Sequence, residues 1–267
     1  MTLAGTWQNE YGSRMSLSVE NGTVSGTYDS TTGATGRYLV TGWESAADRA
    51  GELGRPVALV ISWHSIADFA PDPGWHWVSA LGGQVHTIGG EELLIVTHLL
   101  VASVPFEGLC RRGIYSDKLT FRRLKTSSDH LPDPLHATDK LDGPVSGSWT
   151  AQDGTQLDVQ VIAKIGSGPA LVAGALIQRE ERLDILGFTD IRADAQGIGF
   201  QSLAIAAADK TRKNILAAGG WFEAATGTVT LQSLASLATK AEHLWVQTDL
   251  RPLIFNRPPP TNAPPRQ

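Results

Sequence analysis

The sequence has one cysteine, a small net charge and no long apolar run. The single Cys110 excludes an intrachain disulfide among the 267 residues and gives no indication of an oxidising compartment. Because 22 basic residues stand against 27 acidic ones, a net charge of −5, neither nucleic acid nor an anionic membrane is indicated as a partner. No apolar run approaches the roughly 20 residues of a membrane-spanning helix. A regular alternating pattern begins at about residue 4 and leaves no room for a signal peptide, so we expect a cytoplasmic protein.

The motifs of common cofactor, metal and catalytic sites are also missing from the sequence. Gly166-Ser167-Gly168 and Gly197-Ile198-Gly199 precede no helical pattern, which a phosphate-binding loop would require. The histidines and the cysteine lack the spacing of a zinc site, and nothing resembles a nucleophile elbow or a catalytic triad. In Trp75-His76-Trp77, a period of two puts both indoles on one face and the imidazole on the other, which indicates core or subunit contact. We therefore expect neither a metal nor a cofactor.

What the sequence does contain is an internal duplication. Gly5-Thr6-Trp7 opens one alternating stretch and Gly147-Ser148-Trp149 opens another, and the spacing from each Trp to the following alternating run is the same. Towards the two ends, Leu119-Thr120-Phe121-Arg122 resembles Leu253-Ile254-Phe255-Asn256. A repeat of domain length indicates two copies of one fold, so differences between the copies should locate the function.

Period-two alternation of apolar and polar residues dominates both copies and predicts strands rather than helices. Asn21-Gly22 lies between two alternating runs and is a strong hairpin signal, because both turn residues need a positive φ. Eight short strands are expected in each copy, the last of them over 243–256. The fold class expected is all-β, with two tandem eight-stranded antiparallel up-and-down barrels, which leave no open sheet edge.

The expected domains follow from the repeat and from composition. The first barrel spans 1–124, a polar, proline-broken linker spans 125–144, and the second, divergent barrel spans 145–257. Residues 258–267 form a proline-rich tail, which is expected to be extended or disordered.

Short segments of the first copy follow one another in a specific order and spacing. They are Gly5-Thr6-Trp7-Gln8-Asn9-Glu10-Tyr11-Gly12-Ser13, Gly26-Thr27-Tyr28-Asp29-Ser30, Gly36-Arg37-Tyr38-Leu39-Val40-Thr41-Gly42, Val60-Ile61-Ser62-Trp63, Gly83-Gln84-Val85, Thr97-His98-Leu99-Leu100 and Leu119-Thr120-Phe121-Arg122. Over roughly residues 3–124 this set resembles the avidin and streptavidin family. The resemblance implies a barrel that holds biotin by its ureido ring. It gives Trp7 a structural role at the barrel end.

The resemblance also implies which residues would bind the ligand. Asn9, Ser13 and Tyr28 would donate to a buried carbonyl oxygen, and Ser30 would accept from one ureido N–H. Trp63 would form an aromatic wall, although a strand Trp taken alone is more readily explained by core packing. The full implied set is Asn9, Tyr11, Ser13, Tyr28, Ser30, Thr32, Gly33, Thr35, Trp63, Ser79, His98 and Leu100, of which Thr32, Gly33 and Thr35 lie on a mobile lid loop.

The first copy departs from the family pattern at three places. His98 stands where the family has a Trp, and Leu119 stands where it has an Asp that accepts the second ureido N–H, with Asp117 nearby. The Trp that a neighbouring subunit lends to the pocket should lie near Cys110, and no Trp is there. Losing an aromatic wall and a buried acceptor should weaken biotin binding by several kcal/mol.

The second copy loses the donor set. Ala151 replaces Asn9, Leu176 replaces Tyr28, and Leu231 is expected at the position of His98, while Thr155 keeps a hydroxyl at the position of Ser13. Trp245 takes the place of the exchanged Trp, so it is a possible inter-barrel lid over the first pocket, in this chain or in a partner. Packing between the barrels would explain Trp245 equally well.

Two functions and one inactive alternative remain open at this stage. The first function is binding of a small hydrophobic molecule with a carbonyl or ureido group, biotin or another, in the N-terminal barrel. The second is a cofactor-independent intracellular cyclase or isomerase of secondary metabolism, with His98 and Tyr28 as catalytic candidates, because converging donors also stabilise an enolate. A scaffold with an inactive pocket is the remaining possibility. The tandem copies should form a pseudo-dimer within the chain, with a homodimer possible.

Overall fold

The structure is a computed structural model that describes residues 2–32, 34–46, 53–66, 76–103, 113–124, 141, 143–164, 170–193 and 197–258. Gly33, Trp75, Cys110, linker residues 125–140 and 142, and the tail from 259 onward lie outside the described residues. In the described part of the chain, no helix is long and apolar enough to cross a membrane.

The first eight strands form a closed antiparallel barrel in which each strand pairs with its neighbour and β1 pairs with β8. The strands are β1 (Gly5–Asn9), β2 (Arg14–Glu20), β3 (Thr23–Ser30), β4 (Gly36–Glu44), β5 (Arg55–Ser62), β6 (Trp77–Ile88), β7 (Glu91–Ala102) and β8 (Gly113–Arg123). Asn21 and Gly22 form the expected turn between β2 and β3, with φ values of 50° and 82°. This hairpin turn was predicted from its sequence and is confirmed.

The second eight strands form another closed barrel with the same order. The strands are β9 (Gly147–Ala151), β10 (Gln156–Lys164), β11 (Ala170–Gln178), β12 (Glu181–Thr189), β13 (Phe200–Ala208), β14 (Ile215–Glu223), β15 (Thr228–Ser236) and β16 (Thr248–Asn256). The predicted all-β fold of two tandem eight-stranded barrels is confirmed. The prediction of a strand over 243–256 is wrong at its start, because Ala241–Val246 forms a 3₁₀ helix before β16 begins.

Each barrel is closed at one end by the tryptophan that opens its repeat. Both indoles are fully buried, and each donates its Nε1–H to a backbone carbonyl four residues earlier in the chain. An arginine guanidinium lies over each ring, Arg123 over Trp7 at 4.2 Å and Arg257 over Trp149 at 4.8 Å from the ring centroid. The shared arrangement supports a structural role for Trp7. The end of each barrel opposite this tryptophan is called the mouth. In the first barrel the mouth carries the β1–β2 and β3–β4 connections, and in the second barrel it carries the β9–β10 and β11–β12 connections.

The two barrels pack against each other through the outer faces of their central strands. This interface is apolar and mostly built from small side chains; its buried members are Leu39, Ala58, Val60, Val78, Ala80, Val101, Leu171, Phe188, Ala204, Ala206, Ala208, Ile215 and Ala217. Small residues let two curved sheets approach closely while still removing apolar area from water. The chain therefore contains the expected pseudo-dimer.

Polar contacts show that the barrels run in opposite directions. His76, at the mouth of the first barrel, lies with Nδ1 2.5 Å from Oδ2 of Asp190 at the closed end of the second. At the other end of the interface, Ser45 donates to the backbone carbonyl of Arg212, beside the mouth of the second barrel. The imidazole of His76 thus makes an inter-barrel contact while Trp77 is buried in the first core, as their alternation predicted.

Candidate functional site

The β1–β2 turn fixes the orientation of the Asn9 side chain at the mouth of the first barrel. Its Oδ1 accepts hydrogen bonds from the backbone N–H of Tyr11 at 3.1 Å and of Ser13 at 2.9 Å. Gly12 makes this tight turn possible with a φ of 88°. Because two N–H donors determine which end of the amide is the oxygen, the Nδ2 group is the part left to donate elsewhere.

Tyr28 completes a cluster of three polar side chains. Its phenol lies within hydrogen-bonding reach of the side chains of Ser13 and Asn9, and 6% of the residue is exposed. Burial raises the pKa of Tyr28 above 10, against the opposing effect of the Ser13 and Asn9 hydrogen bonds. The phenol therefore remains a proton donor across the neutral range. The structure thus brings together the three donors that the resemblance implied.

Ser13 makes an internal hydrogen bond that the sequence did not indicate. Its Oγ accepts from the backbone N–H of Thr31 at 3.0 Å and lies 3.1 Å from the Thr31 hydroxyl. The Thr31 proton is donated to the carbonyl of Tyr11, so the Ser13 proton is the one shared with Thr31. A ligand carbonyl would receive this proton only after the Ser13 hydroxyl rotates. The only sequence signal for Thr31 is its position directly after Ser30.

The β3–β4 connection is held by hydrogen bonds from both flanking strands. Ser30 donates its hydroxyl proton to the carbonyl of Thr32 at 2.8 Å, which leaves its oxygen lone pairs as acceptors. Tyr38 donates to the carbonyl of Ala34 at 3.1 Å. Thr32 and Thr35 are exposed on this connection, Gly33 is outside the described residues, and the role of the three as a lid stays a prediction.

Trp63 lies between two tyrosines beside the polar cluster. Its ring centroid is 6.0 Å from that of Tyr28, edge to face, and 4.9 Å from that of Tyr38. Its Nε1–H donates to the Ser79 hydroxyl at 2.7 Å. The contribution of Tyr38 was missed from the sequence, because a tyrosine in a strand is an ordinary residue until its neighbours are known.

His98 enters the site as a hydrogen-bonding group. Its Nε2 lies 2.8 Å from the Ser79 hydroxyl, so the buried Ser79 links it to Trp63. Burial lowers the pKa of His98 to about 4, with a smaller opposing effect from the Asp117 carboxylate. The imidazole is therefore neutral at pH 7. The two hydrogen bonds are compatible when the Trp63 indole N–H donates to the Ser79 hydroxyl and that hydroxyl donates to the unprotonated Nε2 of His98.

The remaining residues of the implied set have different positions. Tyr11 is 54% exposed, and only its backbone hydrogen-bonds with the cluster. Leu100 is partly buried against the core of the first barrel. Leu119 is buried in the same core, while Asp117 is exposed and accepts from the backbone N–H of Lys118. Asp117 therefore does not occupy the buried position of the acceptor that Leu119 replaces.

Trp245 does not cover the first pocket within this chain. It is 79% exposed, and the residue that follows the 3₁₀ helix, Gln247, donates to the carbonyl of Ile95. Ile95 pairs with Gln84, towards the closed end of the first barrel. The antiparallel packing of the barrels causes this placement. The expectation of an intrachain lid is corrected accordingly, and contact with a partner chain stays a prediction.

The second barrel lacks this polar cluster. Ala151 and Leu176 lie at the positions of Asn9 and Tyr28, since Leu157 pairs with Trp149 and Leu176 as Met15 pairs with Trp7 and Tyr28. The strand register gives Ser233 as the counterpart of His98, because Ser233 pairs with Arg251 as His98 pairs with Asp117. The expected correspondence with Leu231 is therefore wrong by two residues.

Among the described residues, no group of three His, Cys, Asp or Glu side chains is placed to hold a metal ion. Residues 1–108 match the family model described as Avidin family. No curated protein matches the chain. The family match covers the first barrel up to the connection after β7. Together with the two closed barrels, the match is consistent with a tandem avidin-like arrangement and supports a small-molecule-binding barrel.

Proposed function

We propose that the avidin-like first barrel binds a small molecule through a cyclic amide or urea carbonyl, with biotin as the first candidate. The convergence of Asn9, Ser13 and Tyr28 carries this proposal. An amide, a hydroxyl and a phenol within hydrogen-bonding reach of one another present several donors to one oxygen atom. Donors that converge in a low-dielectric barrel favour a carbonyl, because a ligand without one leaves them unpaired.

The rest of the site narrows the ligand class. The Ser30 oxygen can accept from one N–H beside the carbonyl, and the Trp63 ring offers an apolar face to the ligand body. With Leu119 in place of a carboxylate, a second N–H would lose its buried partner. The unpaired group costs about 1–3 kcal/mol, which corresponds to roughly 5- to 150-fold in affinity. A ligand with a single ring N–H would avoid this cost, whereas biotin would bear it.

Calorimetric titration of the full chain with biotin tests the proposal. We expect one site per chain, weaker than a complete donor and acceptor set would give. The imino analogue of biotin, in which C=NH replaces C=O, is the matched control, because its protonated form offers donors only. Absence of binding at millimolar biotin would remove biotin as the ligand. Equal affinity for both compounds would contradict the role of the three donors.

The cyclase or isomerase alternative uses the same groups differently. The Tyr28 phenol would stabilise a developing enolate, since preorganised donors act on transition-state charge. The depressed pKa of His98 makes the imidazole neutral, so it has no imidazolium proton to supply as an acid at neutral pH. A neutral imidazole can still act as a base, so the alternative assigns that role to His98. Loss of turnover of a candidate substrate in both His98→Ala and Tyr28→Phe, with unchanged thermal unfolding, would favour the alternative.

A further inference from the structure

The mouth of the second barrel contains a cavity of about 790 Å³, which is within the size range of small-molecule sites. It lies at the end that corresponds to the polar cluster of the first barrel. Leu216, Ala235 and Leu253 are the apolar side chains of its inner wall. Leu216 and Leu253 are nearly fully buried, so the cavity reaches the core of the barrel rather than following its outer surface.

The cavity is open because the second barrel has a short connection over its mouth. Arg179 and Glu180 alone join β11 to β12, with φ values of 49° and 70°, which is a tight two-residue hairpin turn. The corresponding connection in the first barrel spans 31–35. A two-residue turn is too short to fold across the mouth, so a ligand could enter without movement of a loop.

The second barrel has leucine at two positions where the first barrel has hydroxyl groups. The strand registers place Leu216 where the first barrel has Ser79, and Leu253 where it has Leu119. Leu176, at the position of Tyr28, is fully buried in the core. This wall can therefore receive an apolar group but cannot replace the three donors of the first barrel.

The rim carries an excess of negative charge. Four carboxylates line the cavity, those of Asp153, Glu180, Glu181 and Asp249, against two guanidinium groups, those of Arg179 and Arg251, a net charge of −2. Arg251 and Asp249 neutralise each other in an ion pair of 2.6 Å. Hydrogen bonds from Thr155 hold the pKa of Asp153 below its usual value, so this carboxylate stays ionised under mildly acidic conditions.

From the apolar wall, the open mouth and the net negative rim, we propose that the second barrel binds a small organic ammonium ion, with its hydrocarbon body against Leu216, Ala235 and Leu253 and its charged group among the rim carboxylates. This site is separate from the carbonyl site and does not depend on it. The chain then presents two mouths of different chemistry, on opposite ends of the pseudo-dimer.

Three probes with the same hydrocarbon tail test this proposal on the full chain: n-hexylammonium, n-hexanol and n-hexanoate. Calorimetry gives their affinities, and amide chemical shifts locate the site. We expect hexylammonium to bind best, at least fivefold tighter than hexanol, and to shift amides of β15 and β16 rather than those of the first barrel. Added salt should weaken hexylammonium and leave hexanol unchanged.

Variants of the cavity separate a specific site from general adsorption. Ala235→Phe should weaken hexylammonium at least tenfold, because the added ring occupies the cavity beside the partly exposed Ala235. Glu181→Gln should weaken it about two- to fivefold, as expected for one exposed charge. Glu223→Gln is the matched control at the closed end of the second barrel and should have no effect.

Several results would overturn the proposal. One is the absence of hexylammonium binding at 20 mM, roughly the limit of a useful site. Others are an affinity for hexanol equal to that for hexylammonium, or a higher affinity for hexanoate. The last is a set of amide chemical-shift changes confined to the first barrel. If Ala235→Phe fails to fold, two measurements still test the proposal. One compares the three probes on the unchanged chain, and the other compares hexylammonium binding to Glu181→Gln and to Glu223→Gln. Binding of biotin plays no part in this test, so either proposal can fail alone.

Discussion

Ser79 Oγ lies 2.8 Å from Nε2 of His98 inside the first barrel. The same hydroxyl accepts the indole N–H of Trp63, so one buried serine joins an aromatic wall to a neutral imidazole. The second barrel has Leu216 and Ser233 at the positions of Ser79 and His98 and cannot form this chain. The contact is therefore a specific property of the barrel that carries the polar cluster.

Replacement of Ser79 should destabilise the protein. Ser79→Ala leaves the buried Trp63 N–H without an acceptor, which costs about 1–3 kcal/mol in the free energy of unfolding. Chemical denaturation measures this difference. Ser116→Ala, at an exposed serine of β8, is the control and should change stability by less than about 0.5 kcal/mol. Equal effects of the two substitutions would show that the hydrogen bond contributes nothing.

His98 should make stability depend on pH below neutrality. Its pKa is 6.5 when unperturbed and about 4 in the folded chain, so between these values the unfolded chain binds a proton that the folded chain does not. The free energy of unfolding is therefore highest above pH 6.5 and falls as the pH decreases towards 4, by at most about 3 kcal/mol from this group.

Denaturation curves from pH 4 to 7 (roughly the range that His98 governs) check the pH dependence. His98→Gln, which can still accept from Ser79, should reduce it. His243→Gln, at an exposed histidine of the 3₁₀ helix, should leave it unchanged. The interpretation fails if His98→Gln and the wild type give parallel curves.

Tyr28→Phe should weaken a carbonyl ligand of the first barrel by roughly 5- to 150-fold, because one of the donors to its oxygen is removed. Titration calorimetry with biotin, if it is the ligand, gives the ratio. Tyr11→Phe removes the same group from a side chain that is 54% exposed and should leave affinity unchanged. A larger loss for Tyr11→Phe would place the ligand outside the barrel.

Gly82→Ala should separate the barrels or strain their contact. A Cβ at Gly82 would lie 2.7 Å from Cβ of Leu234 in the other barrel, so overpacking should cost about 1–3 kcal/mol. Gly199→Ala, where no atom lies within 4 Å, is the matched control. Thermal unfolding of both variants measures the difference. Equal stability would indicate that the barrels do not pack at Gly82.

Local patterns were sufficient to predict the architecture. The Trp7 and Trp149 repeat and the alternation that follows each of them predicted two barrels, and Asn21-Gly22 predicted its turn, because each signal depends on neighbours in sequence. The predicted start of the last strand was wrong, because Ala241–Val246 forms a 3₁₀ helix before β16 begins at Thr248.

The site was predictable only as a set of residue types. The family resemblance identified Asn9, Ser13 and Tyr28 as one set of ligand donors. It did not predict the hydrogen bond between Ser13 and Thr31, because that bond forms only where the β1–β2 and β3–β4 connections lie side by side. The link from Trp63 through Ser79 to His98 likewise joins the residue after β5 to β6 and β7. Such long-range contacts leave no trace in the spacing of a single sequence, which also explains why Tyr38 was missed.

A crystal structure of the full chain soaked with millimolar biotin tests the central claim most directly. We predict the ureido oxygen in the first barrel, within about 2.7–3.2 Å of Asn9 Nδ2, Ser13 Oγ and Tyr28 Oη, with the Ser13 hydroxyl turned away from Thr31. The claim would be contradicted by density that places the ureido oxygen at the open end, away from these three atoms. Density for biotin in the second barrel alone would contradict it as well.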